Sequence, residues 1–140
     1  MAILSKTKAC LRIIGDDLIP NEISSLVGCE PSREMIKGES FSWNKKGKPR
    51  LAKAGMWRLE VNDMEPGDLD AQVSELLDQL TDNLEIWRDL SERYKIDLFC
   101  GLFMKSDMEG IGLSAQTMFA LGKRGIEIDF DMYGPDDENV

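Results

Sequence analysis

Hydrophobic and polar residues alternate with a period of two over some stretches of this chain and with a helical period over others, so the pattern divides it into strands and helices. Lys8 to Ile14 alternates loosely, with Ala9, Leu11 and Ile13 on one side and Cys10, Arg12 and Ile14 on the other. That predicts a first strand, broken by Gly15, Asp16 and Asp17. Pro20 suits the first turn of a helix whose face is Ile23, Leu26 and Val27, with Gly28 as its stop. Phe41 to Trp43 and Met56 to Val61 read as the two arms of a hairpin around a basic turn, with Trp57, Leu59 and Val61 on one face of the second arm and Arg58 and Glu60 opposite.

Asp68 is placed to cap a helix in which Leu69, Val73, Leu76, Leu77 and Leu80 fall on one face. A further helix, capped near Asp82 or Asn83, continues through Leu84, Trp87, Leu90 and Tyr94. Lys95 to Met104 predicts a strand with Ile96, Leu98, Cys100, Leu102 and Met104 on one face and Phe99 and Phe103 on the other, which suits a central position. Ser114 then caps a helix running past Met118 and Leu121 to Lys123, Arg124 and Gly125. The last strand sets Ile126, Ile128, Phe130 and Met132 against Glu127, Asp129, Asp131 and Tyr133. One-sided alternation of this kind predicts an α+β fold, an antiparallel sheet with helices mainly on one face. Strand, helix and strand recur in Lys8 to Val61 and in Ile96 to Tyr133, and two such βαβ halves fit a ferredoxin-like sandwich with the helical pair between them as an insertion.

Several of these stretches carry a resemblance. Leu11-Arg12-Ile13-Ile14-Gly15-Asp16-Asp17-Leu18, Pro20, Glu22-Ile23-Ser24, Leu26, Gly28 and Pro31 resemble the opening of a bacterial family of unknown function, the one numbered forty-two seventy-nine. Gly38-Glu39, Gly55-Met56-Trp57-Arg58-Leu59 and Leu113-Ser114 resemble its later parts, so the likeness runs from about Lys6 to Tyr133. It implies a small bacterial domain with no established reaction, and no catalytic residues come with it.

Composition narrows the chemistry. The 140 residues suit one domain spanning 1–140, with 134–140 expected to be a disordered acidic tail, and 42% hydrophobic with 31% charged residues is a globular balance. No apolar run reaches the roughly 20 residues of a membrane span, and Met1 to Lys8 is too short in its apolar part for a secretory signal, so a cytoplasmic address is expected. The chain has no histidine, which removes Ser-His-Asp and Cys-His nucleophiles and imidazole metal sites. Cys10, Cys29 and Cys100 are odd in number and widely spaced, which indicates neither a disulfide framework nor a redox pair; Cys10 and Cys100 read as buried small hydrophobes, and Cys29 as the one thiol to test for reactivity.

A net charge of −9 repels nucleic acid and anionic lipid at long range. Lys45, Lys46, Lys48, Arg50 and Lys53 form a basic loop that supplies +5 of that balance, so the remainder carries −14. The loop reads either as a solvated turn around Gly47 and Pro49 or as an anion-binding or docking loop. Glu127, Asp129 and Asp131 stand on one face of a strand, spaced by two, and invite either cross-strand pairing with Arg12 or Arg58 or a basic protein partner, with Asp136, Asp137 and Glu138 extending the patch. The Asp-x-Asp-x-Asp-Gly loop of a calcium site is missing.

Gly110, Gly112 and Ser114 precede a helix start, where free N–H groups favour an anion, although turn chemistry explains the glycines as well. Asp16 and Asp17 read as loop acids or as a carboxylate pair for acid–base work. Trp57 and Trp87 fit core positions, while Trp43 beside the basic turn fits the surface. Two functional classes therefore stay open. The first is a non-enzymatic interaction module without cofactor, whose acidic surface binds a protein, an immunity-type antidote to a basic toxin being one form, or which self-associates through an edge at Phe41 to Trp43. The second is a small-molecule or anion-binding domain, or a carboxylate enzyme, built from Asp16, Asp17, the basic loop and the Gly110 to Ser114 turn.

Overall fold

A computed structural model of the chain describes residues 2–42 and 47–135. In chain order the elements are β1 (Ala2–Ile3), β2 (Lys6–Gly15), α1 (Pro20–Val27), β3 (Arg33–Met35), β4 (Ser40–Phe41), β5 (Arg50–Leu51), β6 (Gly55–Glu60), α2 (Leu69–Asp78), α3 (Leu84–Arg93), β7 (Lys95–Phe103), β8 (Glu109–Gly110), α4 (Ala115–Lys123) and β9 (Glu127–Tyr133). Five strands form the main sheet in the order β3-β6-β2-β7-β9; β1 pairs with β8 and β4 with β5 in two small ribbons. The fold is α+β, as the alternation predicted.

β2 and β7 hold the centre because each alternates fully between an apolar and a mixed face. Thr7, Ala9, Leu11 and Ile13 of β2 are in register with Leu102, Cys100, Leu98 and Ile96 of β7. These residues join the buried side chains of all four helices in one core: Ile23 and Val27 of α1, Leu69, Val73 and Leu76 of α2, Trp87 and Leu90 of α3, and Leu121 of α4. The helices thus lie on one face. Their boundaries follow local chemistry. Asp68, Asn83 and Ser114 each accept a backbone N–H at the start of a helix, and Gly28 closes α1 at φ 78°, a left-handed conformation that favours glycine. Within the core, Gln72 of α2 donates to the carbonyls of Thr7 and Asn62 and accepts from the Thr7 hydroxyl, so a buried amide locks α2 onto β2 with every bond satisfied.

The sheet departs from the predicted one in three ways. It is mixed, because β7 pairs antiparallel with β2 but parallel with β9 through the α4 crossover. The arms around the basic turn do not pair with each other: Phe41 of β4 meets Arg50 of β5, while β6 pairs with β3, a three-residue strand too short to show a period. The helices α2 and α3 are no insertion, for they form the crossover that carries the chain from β6 over β2 to β7. The two halves consequently differ: β2 and β6 are antiparallel neighbours, whereas β7 and β9 are parallel ones.

Gly55 shows how tightly the turn after β2 closes on β6. A Cβ there would lie 2.7 Å from the Leu18 carbonyl oxygen and 2.9 Å from that of Gly15, both backbone atoms that cannot swing aside. Gly55→Ala is therefore expected to lower unfolding stability by about 1–3 kcal/mol, read from the urea midpoint. Among the described residues no helix is long and apolar enough to cross a membrane.

Candidate functional site

With the helices on one face of the sheet, the side chains of the opposite face form a surface of their own. β2 gives it Lys6, Lys8, Cys10 and Arg12, β6 gives Arg58 and Glu60, β7 gives Asp97, Phe99, Gly101 and Phe103, and β9 gives Glu127, Asp129, Asp131 and Tyr133. Residues in register share a face, so Arg33, Arg58, Arg12, Asp97 and Glu127 cross the sheet in one row, three cations followed by two acids. The surface is basic over β3, β6 and β2, aromatic along β7 and acidic along β9.

Its electrostatic centre is a residue that sequence reading missed. Asp97 is inaccessible to solvent and receives the guanidinium fork of Arg12, Nε at 2.8 Å and Nη2 at 2.6 Å. Burial pushes the Asp97 carboxyl up, but the hydrogen bonds from Arg12 and Asp129 and the charges of Arg12 and Lys95 outweigh it and hold Asp97 below the ordinary carboxylate range. The same fork keeps Arg12 above its usual value. Asp129 moves the other way: its hydrogen bond to Asp97 raises it, because two neighbouring carboxyls cannot both ionise freely. Arg12 also lies over the Phe99 ring, 4.4 Å from its centre. An acid at an alternating position inside an otherwise apolar strand was the available signal.

The acidic row lies in register with β7 and not with the arginines that cross-strand pairing called for. The register partners of Glu127, Asp129 and Asp131 are Asp97, Phe99 and Gly101, and Arg12, one strand further in, gives its fork to Asp97. All three β9 acids are exposed. Beside them Tyr133 stacks on Phe103 with centroids 4.6 Å apart.

The loops proposed for small-molecule chemistry do not meet. Asp16 follows the end of β2 and pairs with Lys37 at 3.2 Å, both exposed, whereas Gly110 sits in β8 beside Leu4, just before β2 begins. Ten residues of strand separate these ends, about 30 Å. The start of α4 already holds an anion from its own chain: the Asp70 carboxylate accepts the Ser114 N–H at 3.0 Å, a bond that keeps Asp70 below its usual range. Gly112 lies in the loop between them and Asp17 in the turn beside Asp16, and both are exposed. Lys48 is exposed, Arg50 forms part of β5, and Lys45, Lys46 and Trp43 lie outside the described residues, as do Asp136, Asp137 and Glu138.

The thiols carry no reactive signature. Burial raises Cys10, carries Cys100 up to about 12, and raises Cys29 together with the charge of Glu30, so the thiolate each would need is disfavoured. Trp57 and Trp87 are both fully buried. Among the described residues no three carboxylates or thiols converge as a metal ion would require.

The model of the family described as Domain of unknown function (DUF4279) matches residues 5–135, and the chain belongs to that family. No curated protein and no solved structure matches it.

Proposed function

We propose that this member of the DUF4279 family is a protein-binding module that takes up a strand of its partner along β9. The observation that carries the reading is the position of β9: it is the seven-residue last strand of the sheet, its outer edge unpaired among the described residues, with acids on one face. An unpaired edge offers N–H and C=O groups for strand addition, and side chains at alternate positions select the partner. On β9 those positions are Glu127, Asp129 and Asp131 on the sheet's open face, and Phe130 and Met132, both exposed, on the other. The complementary strand alternates lysine or arginine with apolar residues.

The same pattern weighs against a second copy of the chain as occupant. Two β9 strands paired antiparallel would set carboxylates opposite carboxylates, which destabilises a sheet. A basic partner removes that repulsion and gains fast association from it. A basic toxin neutralised by this chain fits the chemistry.

A seven-residue peptide alternating lysine and valine, titrated into the labelled domain, is expected to shift and protect the β9 amides at low salt, with affinity falling as salt rises. The double substitution Asp129→Lys and Asp131→Lys should weaken it by about tenfold or more, a coupling of about 1.4 kcal/mol or more. An equal response to a glutamate–valine peptide, or shifts away from β9, would sink the proposal.

A further inference from the structure

We propose that the groove between α2 and α4, on the helix side of the sheet, binds a small zwitterion, an α-amino acid with an aliphatic side chain, whose carboxylate seats on Arg124. The groove has a volume of about 510 Å³, within the roughly 300–1,000 Å³ typical of small-molecule sites. Val73, Leu77 and Ala120 give it an apolar lining, and Asp78, Lys123 and Arg124 give it charge.

Arg124 points to a guest. It is 8% exposed, and arginine is seldom buried to that degree without an acid beside it. Its side chain makes one hydrogen bond among the described residues, from Nη1 to the Ala120 carbonyl at 2.9 Å, which ties down the last turn of α4. The Nε–Nη2 edge has no acceptor among those residues. That is the edge by which Arg12 grips Asp97, and it matches the two oxygens of a carboxylate. Nε is shielded from water and Nη2 is not, so an acid arriving through the groove meets Nη2 first. A buried donor without an acceptor costs stability, and the carboxylate of a guest removes that cost.

The acids that share the groove decide what else the guest carries. Asp70 is committed to α4, accepting the Ser114 N–H at 3.0 Å. Asp78, exposed on the rim, forms no ion pair with Lys123 or Arg124, although all three line the groove. It stands on the last turn of α2, where the carbonyl end of the helix also favours a cation, and that turn holds no basic residue. A plain anion would meet Asp78 as a like charge. A guest with an ammonium group beside its carboxylate satisfies Asp78 and Arg124 together, and having no net charge it is not repelled by the −9 of the chain. The groove shares no residue with β9, and binding there does not depend on strand docking.

Amide-resolved titration of the full chain tests this with L-leucine, isocaproate, isoamylamine and inorganic phosphate. Leucine should move Val73, Leu77, Ala120 and Arg124 with saturation and raise the urea midpoint. Isocaproate, which lacks the amine, and isoamylamine, which lacks the acid, should each bind about tenfold more weakly or worse, and phosphate no better than isocaproate. Arg124→Met should abolish the leucine response. Asp78→Asn, at an exposed position, should weaken leucine about tenfold and leave isocaproate unchanged or tighter, which decides the matter even where the Arg124 variant fails to fold. Equal binding by isocaproate, isoamylamine or phosphate, a leucine response that survives Arg124→Met, native leucine binding in Asp78→Asn, or no response to any probe overturns the proposal.

Discussion

Replacing Arg12 by methionine is expected to cost about 3–5 kcal/mol of folding stability, because it strands the Asp97 carboxylate in a place water does not reach. Asp97→Asn should cost less, about 1–3 kcal/mol. The difference follows from geometry: the Arg12 side chain is 23% exposed and can carry its charge out along its own stem, whereas Asp97 is 0% exposed and has no such route. Urea unfolding at neutral pH measures both. Acid then checks the mechanism. Asp97 is held below its ordinary 3.8, so its contribution in the native protein is fully present above that value and is lost as pH falls through the lower folded one. Without Arg12, burial dominates and the carboxyl moves up, so the variant gains relative stability on protonation. The gap between native protein and Arg12→Met should narrow toward acid pH; a gap that stays constant would mean Asp97 is not the group left unpaired.

The same residues show where sequence was readable. Period two in Lys6 to Gly15, Lys95 to Phe103 and Glu127 to Tyr133 is a local property, and it gave the strands and their two faces, although on the edge strand β9 the apolar face stays largely exposed at Phe130 and Met132. Caps at Asp68 and Ser114 and the glycine stop at Gly28 are likewise local, since each depends on one side chain or one φ angle. Pairing is not local. Nothing within Met56 to Glu60 says that its outer neighbour is Arg33–Met35 rather than Phe41, and nothing in Glu127 to Tyr133 says that it runs parallel to β7. The candidate site suffered for that reason. Arg12 and Asp97 are 85 residues apart, and only the register of β2 with β7 makes them a pair. The carboxylate that fills the start of α4 comes from Asp70, 44 residues before Ser114. The acids of β9 were found because their spacing is itself the signal.

Trp57→Ala should cost about 3–5 kcal/mol, comparable to the loss of Arg12 but of a different origin. The indole is 0% exposed, sits opposite Ile13 in the register of β2 with β6, and donates its N–H to Ser24 Oγ at 3.1 Å, which fastens α1 to the sheet. Truncation removes the largest apolar group of that contact, leaves a cavity between α1 and β6, and strands a buried hydroxyl. Trp57→Phe separates these effects. It keeps most of the volume but removes the donor, for an expected cost of about 1–3 kcal/mol. Adding Ser24→Ala to the phenylalanine variant should cost less than Ser24→Ala does in the native background, a coupling that a double-mutant cycle in urea reads directly. If the two substitutions simply add, the hydrogen bond contributes nothing and packing alone carries α1. Because Trp57 faces the helices while Asp129 faces away from them, a folded Trp57→Phe variant should bind the lysine–valine peptide as the native domain does. That contrast separates damage to the body of the domain from damage to its open face.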